Sequence, residues 1–196
     1  MAKKPTSFHY RVYNEVYFFG GFSSQKNVLS TSATANGNSY PVDIIYKNTG
    51  LGGLGMATLF IGKDKNPDLM VDFETSFYGA KMNAIVDNPP VNVELAGFAM
   101  CLDMHFSVFP IKARNSYPSP FVFAGAGMRI VKLSYETASA SEFHGELPFG
   151  IGFRQKISNS VAFQVRERFV YSKLKDVSGF ILPETRFELI ISTGRR

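Results

Sequence analysis

The chain has 196 residues, a formal charge of +5, 19 Phe, nine Tyr, 17 Gly and no Trp. That length allows one domain or one closed barrel, and the aromatic- and glycine-rich composition is that of a β protein rather than a helical one. The single cysteine, Cys101, excludes an internal disulfide and cysteine-ligated metal centres, and the scattered Lys and Arg give no support to a nucleic-acid surface.

The first residues, Met1 to Ser7, are basic but lead into no apolar segment, so they do not read as a signal peptide. The expectation is a cytosolic chain or one whose export signal has been removed. No apolar run approaches the roughly 18 residues of a spanning helix.

From residue 9 onward the dominant period is two. Alternation predicts strands over 9–22, 48–61, 69–79, 93–109, 121–134, 148–157, 161–172 and 185–193. The cleanest are Leu69–Gly79, with Leu69, Val71, Phe73 and Phe77 against Asp72 and Glu74, and Ala96–Val108, with Phe98, Leu102 and Phe106 against Cys101, Asp103, His105 and Ser107. The stretch 48-NTGLGGLGMAT-58 holds Gly50-x-Gly52-x-x-Gly55, with Glu74 nearly twenty residues on, the spacing of a dinucleotide fingerprint. A short β-like run and a turn follow it, leaving no helix to hold a pyrophosphate, so the glycines read as structural. In a narrow barrel they let strands coil and leave room for long side chains across the lumen.

The links alternate in length. Those at 64–67, 110–120 and 158–160 are short or rich in Pro, Asn and Ser; those at 23–46, 80–91, 136–146 and 173–184 are long. All long links therefore leave one end of an up-and-down meander. The segment 30-STSATANGNS-39 reads as the mobile tip of the first.

Alternation shows two faces without saying which is inside. Strands of about 10–13 residues match a tilted bilayer crossing, tight turns alternate with long loops, and aromatics crowd strand ends at Phe18, Phe19, Phe22, Phe77, Tyr78, Phe106, Phe109, Phe169 and Tyr171. The expected fold is all-β: an eight-stranded antiparallel up-and-down transmembrane β-barrel with short periplasmic turns and longer extracellular loops. A soluble lipocalin-like ligand-binding barrel, apolar inside, is the alternative.

The segments 121-FVFAGAGMRI-130 and 149-FGIGFRQKISNSVAFQVRERFVYSKLKDVSG-179 resemble the closing strands of OmpA/OmpX-type small outer-membrane barrels, and especially those of Bacteroidetes-like bacteria. The resemblance covers about 75 residues closely. It implies an outer-membrane location with both termini periplasmic, and lipids as the immediate surroundings. Where it would imply a terminal aromatic, this chain ends Ser-Thr-Gly-Arg-Arg.

With the apolar face toward lipid, the lumen collects Arg11, Glu15, Asp72, Glu74, Asp103, His105, Arg129, Arg154, Arg166, Arg168, Arg186 and Glu188. Near-balanced acids and arginines predict a salt-bridge plug that fixes strand register, with a gated ion path as the other reading. The expected layering puts Glu15, Glu74, Asp103, Arg166 and Glu188 at one depth, and Arg129, Arg168 and Arg186 one layer toward the loops. Asn14 and Glu167 fall on the lipid face, as candidate contacts for a protein partner on the outer wall. Two catalytic sets are weighed, His105 with Ser107 and a loop set of His144, Ser141 and Glu142; neither has a local enzyme signature, and Cys101 reads as a small lumen filler. No cofactor or metal is implied. The expected function is a non-enzymatic barrel acting through its loops in adhesion, partner docking or envelope integrity; a narrow channel or a subunit of an envelope or secretion assembly is the alternative.

Overall fold

The computed structural model describes residues 10–23, 28–35, 38–46, 49–62, 67–86, 91–111, 118–135, 138–172 and 180–195; side chains are described at 10–23, 50–62, 67–79, 98–111, 118–130, 132, 143, 145–171 and 181–193. Among these residues there are ten strands: β1 (Arg11–Ser23), β2 (Val28–Ala35), β3 (Asn38–Tyr46), β4 (Thr49–Ile61), β5 (Pro67–Val86), β6 (Val91–Val108), β7 (Ser119–Tyr135), β8 (Ala138–Lys156), β9 (Val161–Ser172) and β10 (Phe180–Arg195).

Eight of them are staves. β4 pairs with β1, β1 with β10, and the ladder continues through β9, β8, β7 and β6; β5 pairs with both β4 and β6, which closes the barrel. Every pairing is antiparallel. Closure leaves the staves no free edge, which a strand needs if its backbone is to sit in lipid. One of the tight turns is visible at Ile157–Val161, where Ser158 Oγ accepts the backbone N–H groups of Ser160 (3.2 Å) and Val161 (3.1 Å).

Burial decides which face is inside. Along β5, Met70, Asp72, Glu74, Ser76 and Tyr78 are buried, while Phe73 and Phe77 are exposed. Along β6, Cys101, Asp103, His105 and Ser107 are buried, while Phe98, Leu102, Phe106 and Val108 are exposed. The barrel is thus apolar outside and charged inside, inverting the soluble arrangement. Three of the aromatics expected in the girdles turn inward instead: Phe19, Tyr78 and Phe109 are buried, because their positions share parity with the lumen set.

The glycines of the fingerprint-like stretch lie in β4, and two of them have a definite task. A Cβ on Gly53 would strike the Phe19 ring, and one on Gly55 would strike the Tyr17 ring. Each aromatic lies across the neighbouring strand's glycine on the inner wall, and Phe121 does the same over Gly152.

The long links differ most from expectation. The first holds β2 and β3, which pair with each other from Val28↔Ile45 to Ala35↔Asn38, and β3 then pairs with the upper part of β5 through Val42↔Val86 to Tyr46↔Met82. The sequence signal was Asn36-Gly37, a hairpin dipeptide read as a loop tip; those two positions lie outside the described residues. β5, β6 and β8 likewise run into segments expected as loops. With 20, 18, 17 and 19 residues, β5 to β8 exceed the 13 of β1 and β4 and the 12 of β9, and the excess lies at the long-link end. One side of the barrel therefore rises as a wall of paired strands.

Candidate functional site

The inward parity of seven of the staves brings seven buried carboxylates (Glu15, Asp72, Glu74, Asp103, Glu146, Glu184, Glu188) into the lumen with five buried arginines (Arg129, Arg154, Arg166, Arg168, Arg186) and His105. In an interior this narrow each charge has to find its partner within the lumen.

At the short-turn end, Arg154 Nη2 donates to Glu15 Oε1 at 2.6 Å. Deeper in, Arg166 sits between two strands' acids, with Nη2 at 3.0 Å from Asp72 Oδ2 and Nε at 2.9 Å from Glu188 Oε1. The second contact is an ion pair whose N–H points off the oxygen, so Nε has no true hydrogen bond. Gln164 Nε2 donates to the other Glu188 oxygen at 2.7 Å, and His105 Nδ1 lies 2.7 Å from Asp72 Oδ1. The Tyr17 hydroxyl reaches both Asp72 (3.1 Å) and Glu74 (3.2 Å); having one proton, it donates to one at a time. Rings wall the guanidinium in, with Tyr17, Phe121 and Phe123 at 5.6, 5.7 and 5.3 Å from Arg166 Cζ.

Toward the long-link end the network is denser. Arg168 Nη1 donates to Glu184 at 2.7 Å, and its Nη2 is shared between Asp103 at 2.5 Å and Glu146 at 3.0 Å. Arg186 pairs with Glu74 and, at 3.0 Å, with Glu184. Arg129 Nε donates to Glu146 at 2.7 Å. The Tyr78 hydroxyl donates to Glu184 (2.8 Å) and accepts from Arg186 (3.0 Å) and Arg168 (3.2 Å). Arginine suits these positions because its planar fork can bridge two carboxylates, which a lysine ammonium does less well.

Several particulars depart from the sequence reading. Arg11 shares the inward parity, yet it is exposed at the mouth, beyond the buried layers, and makes no ion pair among the described residues. Of the expected layer of Glu15, Glu74, Asp103, Arg166 and Glu188, only Arg166 and Glu188 pair with each other: Arg166 also takes Asp72, while Glu74 goes to Arg186, Asp103 to Arg168 and Glu15 to Arg154. Strand tilt is the reason, since residues level in the ladder are not level along the barrel axis. Sequence reasoning missed Glu146 and Glu184, placed at the ends of presumed loops, and the hydroxyl and amide hubs Tyr17, Tyr78 and Gln164. Continuing the alternation by one pair before Pro148 and before Arg186 would have found both acids.

On the outer wall, Glu167 is half-buried and accepts a hydrogen bond from Thr185 Oγ1 at 2.8 Å on the adjacent strand. Its outward neighbours include Ile151, Val165 and Phe169. Asn14 sits nearer the short-turn end at a β-bulge against β10, where its Oδ1 accepts from Thr58 at 3.4 Å and its carbonyl from Thr193 at 3.1 Å.

For catalysis, His105 and Ser107 are both fully buried, and the Ser107 hydroxyl has no hydrogen-bond partner. His144 lies in β8 opposite Arg129 rather than in a loop, with Ser141 and Glu142 on the same strand; the side chains of all three lie outside those described. Cys101 is fully buried against the Arg129–Glu146 pair. Asp72, Glu74 and His105 could each turn one ligand atom to a cation within 4.8 Å of the others, but Arg166 and Arg186 already neutralise the two carboxylates.

No protein-family model matches the sequence, and no curated protein is significantly similar to it. Solved structures do align. The crystal structure of the outer membrane protein OprG from Pseudomonas aeruginosa superposes with a TM-score of 0.54 at 9% identity, over 93% of this chain and 94% of that one. The fold is that of a small outer-membrane barrel. Ail, the attachment invasion locus protein of Yersinia pestis, aligns over 94% of this chain and 99% of its own at 17% identity (TM-score 0.47), and the outer membrane protein AlkL over 100% and 92% at 16% (TM-score 0.33).

Proposed function

We propose that this protein is a non-enzymatic barrel of a bacterial outer membrane whose lumen is closed by its charge network and which acts through the strands and loops it raises above the membrane. The observation that carries this reading is the position of Arg166, Arg168 and Arg186. Their side chains are 1%, 0% and 0% exposed and reach acids on other strands, which supports a lumen without a wide path for solvent. Eight strands enclose a space that side chains can fill.

The raised wall of β5 to β8, extended by the β2–β3 hairpin, supports a role in adhesion, partner docking or envelope integrity, because it carries paired strands beyond the charged lumen at the long-link end. Planar-bilayer recording tests the closed lumen: the wild type should give no large, steady conductance, and such a conductance would refute the plug in favour of a narrow channel.

A second reading, a subunit of an envelope assembly, is favoured by Glu167. A carboxyl amid apolar outward residues costs free energy in lipid unless a partner covers it. On that reading a stoichiometric partner co-purifies with the wild type and is lost in Glu167→Leu, with Asn14 as a further contact. Co-purification that survives Glu167→Leu would remove the reason for it.

A further inference from the structure

The ladders run into the raised wall without a shift of register, from Leu69↔Val108 to Val86↔Val91 between β5 and β6 and from Val108↔Val122 to Ala96↔Ser134 between β6 and β7. The two faces of the sheet therefore continue upward by parity. The face that holds Tyr78 and Ala99 on the inner wall passes, in the wall, through Met82, Val93, Leu95 and Leu133, and through Val42 and Ile44 where β3 joins β5. The opposite face passes through Asp43, Lys81, Asn83, Glu94, Lys132 and Ser134, broken by Ile45 and Ile85. Along β8 the first face turns polar, at Glu142 and His144. Within the bilayer the axis-side face is charged and the outer face apolar; beyond it the two exchange character.

An antiparallel sheet with one apolar face gains stability only when that face is covered. Among the described residues, the strands across the mouth stop lower: β1 ends at Ser23 and β9 at Ser172, while β4 begins at Thr49 and β10 at Phe180. The face has the size of a macromolecular contact. Five strands (β2, β3, β5, β6 and β7) about 4.8 Å apart, each about six residues tall at about 3.3 Å, give a flat footprint of roughly 500 Å². With the relief of its side chains, that approaches the roughly 800 Å² that one partner contributes to a standard interface.

We propose that the wall is a homophilic contact, in which its apolar face packs on the same face of a second copy held in an apposed membrane. The proposal names a partner for the adhesive reading above and rests on it. Two copies in one membrane cannot make this contact, because each face looks over the mouth of its own barrel and a neighbour's wall would have to stand there. A copy facing from an opposite membrane can lower its wall over that mouth. Aligned sheets pack about 10 Å apart, and the lower strands across the mouth leave that space open. The two-fold axis then lies between the membranes, apolar face meets apolar face, and the faces with Lys81, Glu94 and Lys132 stay in water.

Analytical ultracentrifugation of the full chain in a non-ionic detergent should show reversible monomer–dimer exchange, and vesicles carrying the protein should cluster. Val93→Asp places a charge in the middle of the contact and should weaken the dimer about tenfold or more. Met82→Gln, a milder change on the same face, should weaken it about threefold and serves if Val93→Asp disturbs folding. Asn83→Asp, the next residue along β5 but on the opposite face, should leave both readouts unchanged. Far-UV circular dichroism checks the fold of each variant. A chain that stays monomeric up to about 100 μM, or vesicles that do not cluster, would overturn the proposal while leaving adhesion to other partners standing. A dimer unmoved by Val93→Asp and Met82→Gln would also overturn it. If the dimer is lost in Glu167→Leu instead, the contact is side by side in one membrane, and the envelope-assembly reading takes its place.

Discussion

Replacing Arg166 with Leu removes the cation that bridges β5 and β10 across the lumen. The guanidinium lies 3.0 Å from Asp72 and 2.9 Å from Glu188, with side-chain exposures of 1%, 0% and 0% for the three residues. Leucine would fill part of the ring-walled space left by Tyr17, Phe121 and Phe123, so the cavity cost is modest. The dominant loss is electrostatic, because Asp72 and Glu188 stay behind, desolvated and lacking their main counter-charge. His105 retains one contact to Asp72 and Gln164 one to Glu188, which softens the loss without cancelling it. Stranding a buried partner in this way costs about 3–5 kcal/mol. For a chain of 196 residues, with a urea slope near the upper part of the usual range, that moves the midpoint down by roughly 1–2 M. Far-UV circular dichroism in detergent, with unfolding and refolding arms superimposed, measures the shift. Lys132→Gln is the control, since Lys132 is exposed and makes no ion pair among the described residues; its midpoint should not move. If Arg166→Leu unfolds with Lys132→Gln, Arg166 is not held between the two acids, and the account of the lumen fails.

Packing on the inner wall is open to test at Gly55, with Gly50 as its control, and at Cys101. Gly55→Val should cost about 1–3 kcal/mol, because the new side chain displaces the Tyr17 ring and breaks its hydrogen bond to Asp72 or Glu74, whereas Gly50→Ala, with nothing within 4 Å of its added Cβ, should be near neutral; denaturant midpoints compare them. Cys101, 0% exposed, should resist a membrane-permeant maleimide in the folded barrel and react once urea opens it, and equal labelling rates would contradict its placement.

Period-two alternation carried most of the fold because each stave is half lipid and half lumen, so that every second residue faces a different solvent. It could place Asp72, Glu74 and Asp103 on one face, but it could not choose their partners. Those depend on tilt and stagger between strands, which a single strand's pattern does not encode. Above the membrane no lipid enforces the alternation, and in places it fades. That is why β2, β3, the upper part of β5, β8 before Pro148 and the start of β10 read as loops, and why Glu146 and Glu184 were lost at those ends. Asn14 looked anomalous on a lipid-facing strand, but its side-chain oxygen accepts from Thr58 directly across on β4, and at the bulge against β10 its carbonyl accepts from Thr193.

The absence of tryptophan makes the central claim, apolar face to lipid and charged face to lumen, directly measurable. Single Trp reporters at Phe153 and Phe187, 52% and 46% exposed on the outer wall, and at Phe121, 1% exposed on the inner wall, can be read in vesicles of lipids brominated on their acyl chains. Strong bromine quenching is expected for Phe153→Trp and Phe187→Trp and little for Phe121→Trp. Equal quenching at all three, or none at any, would contradict it.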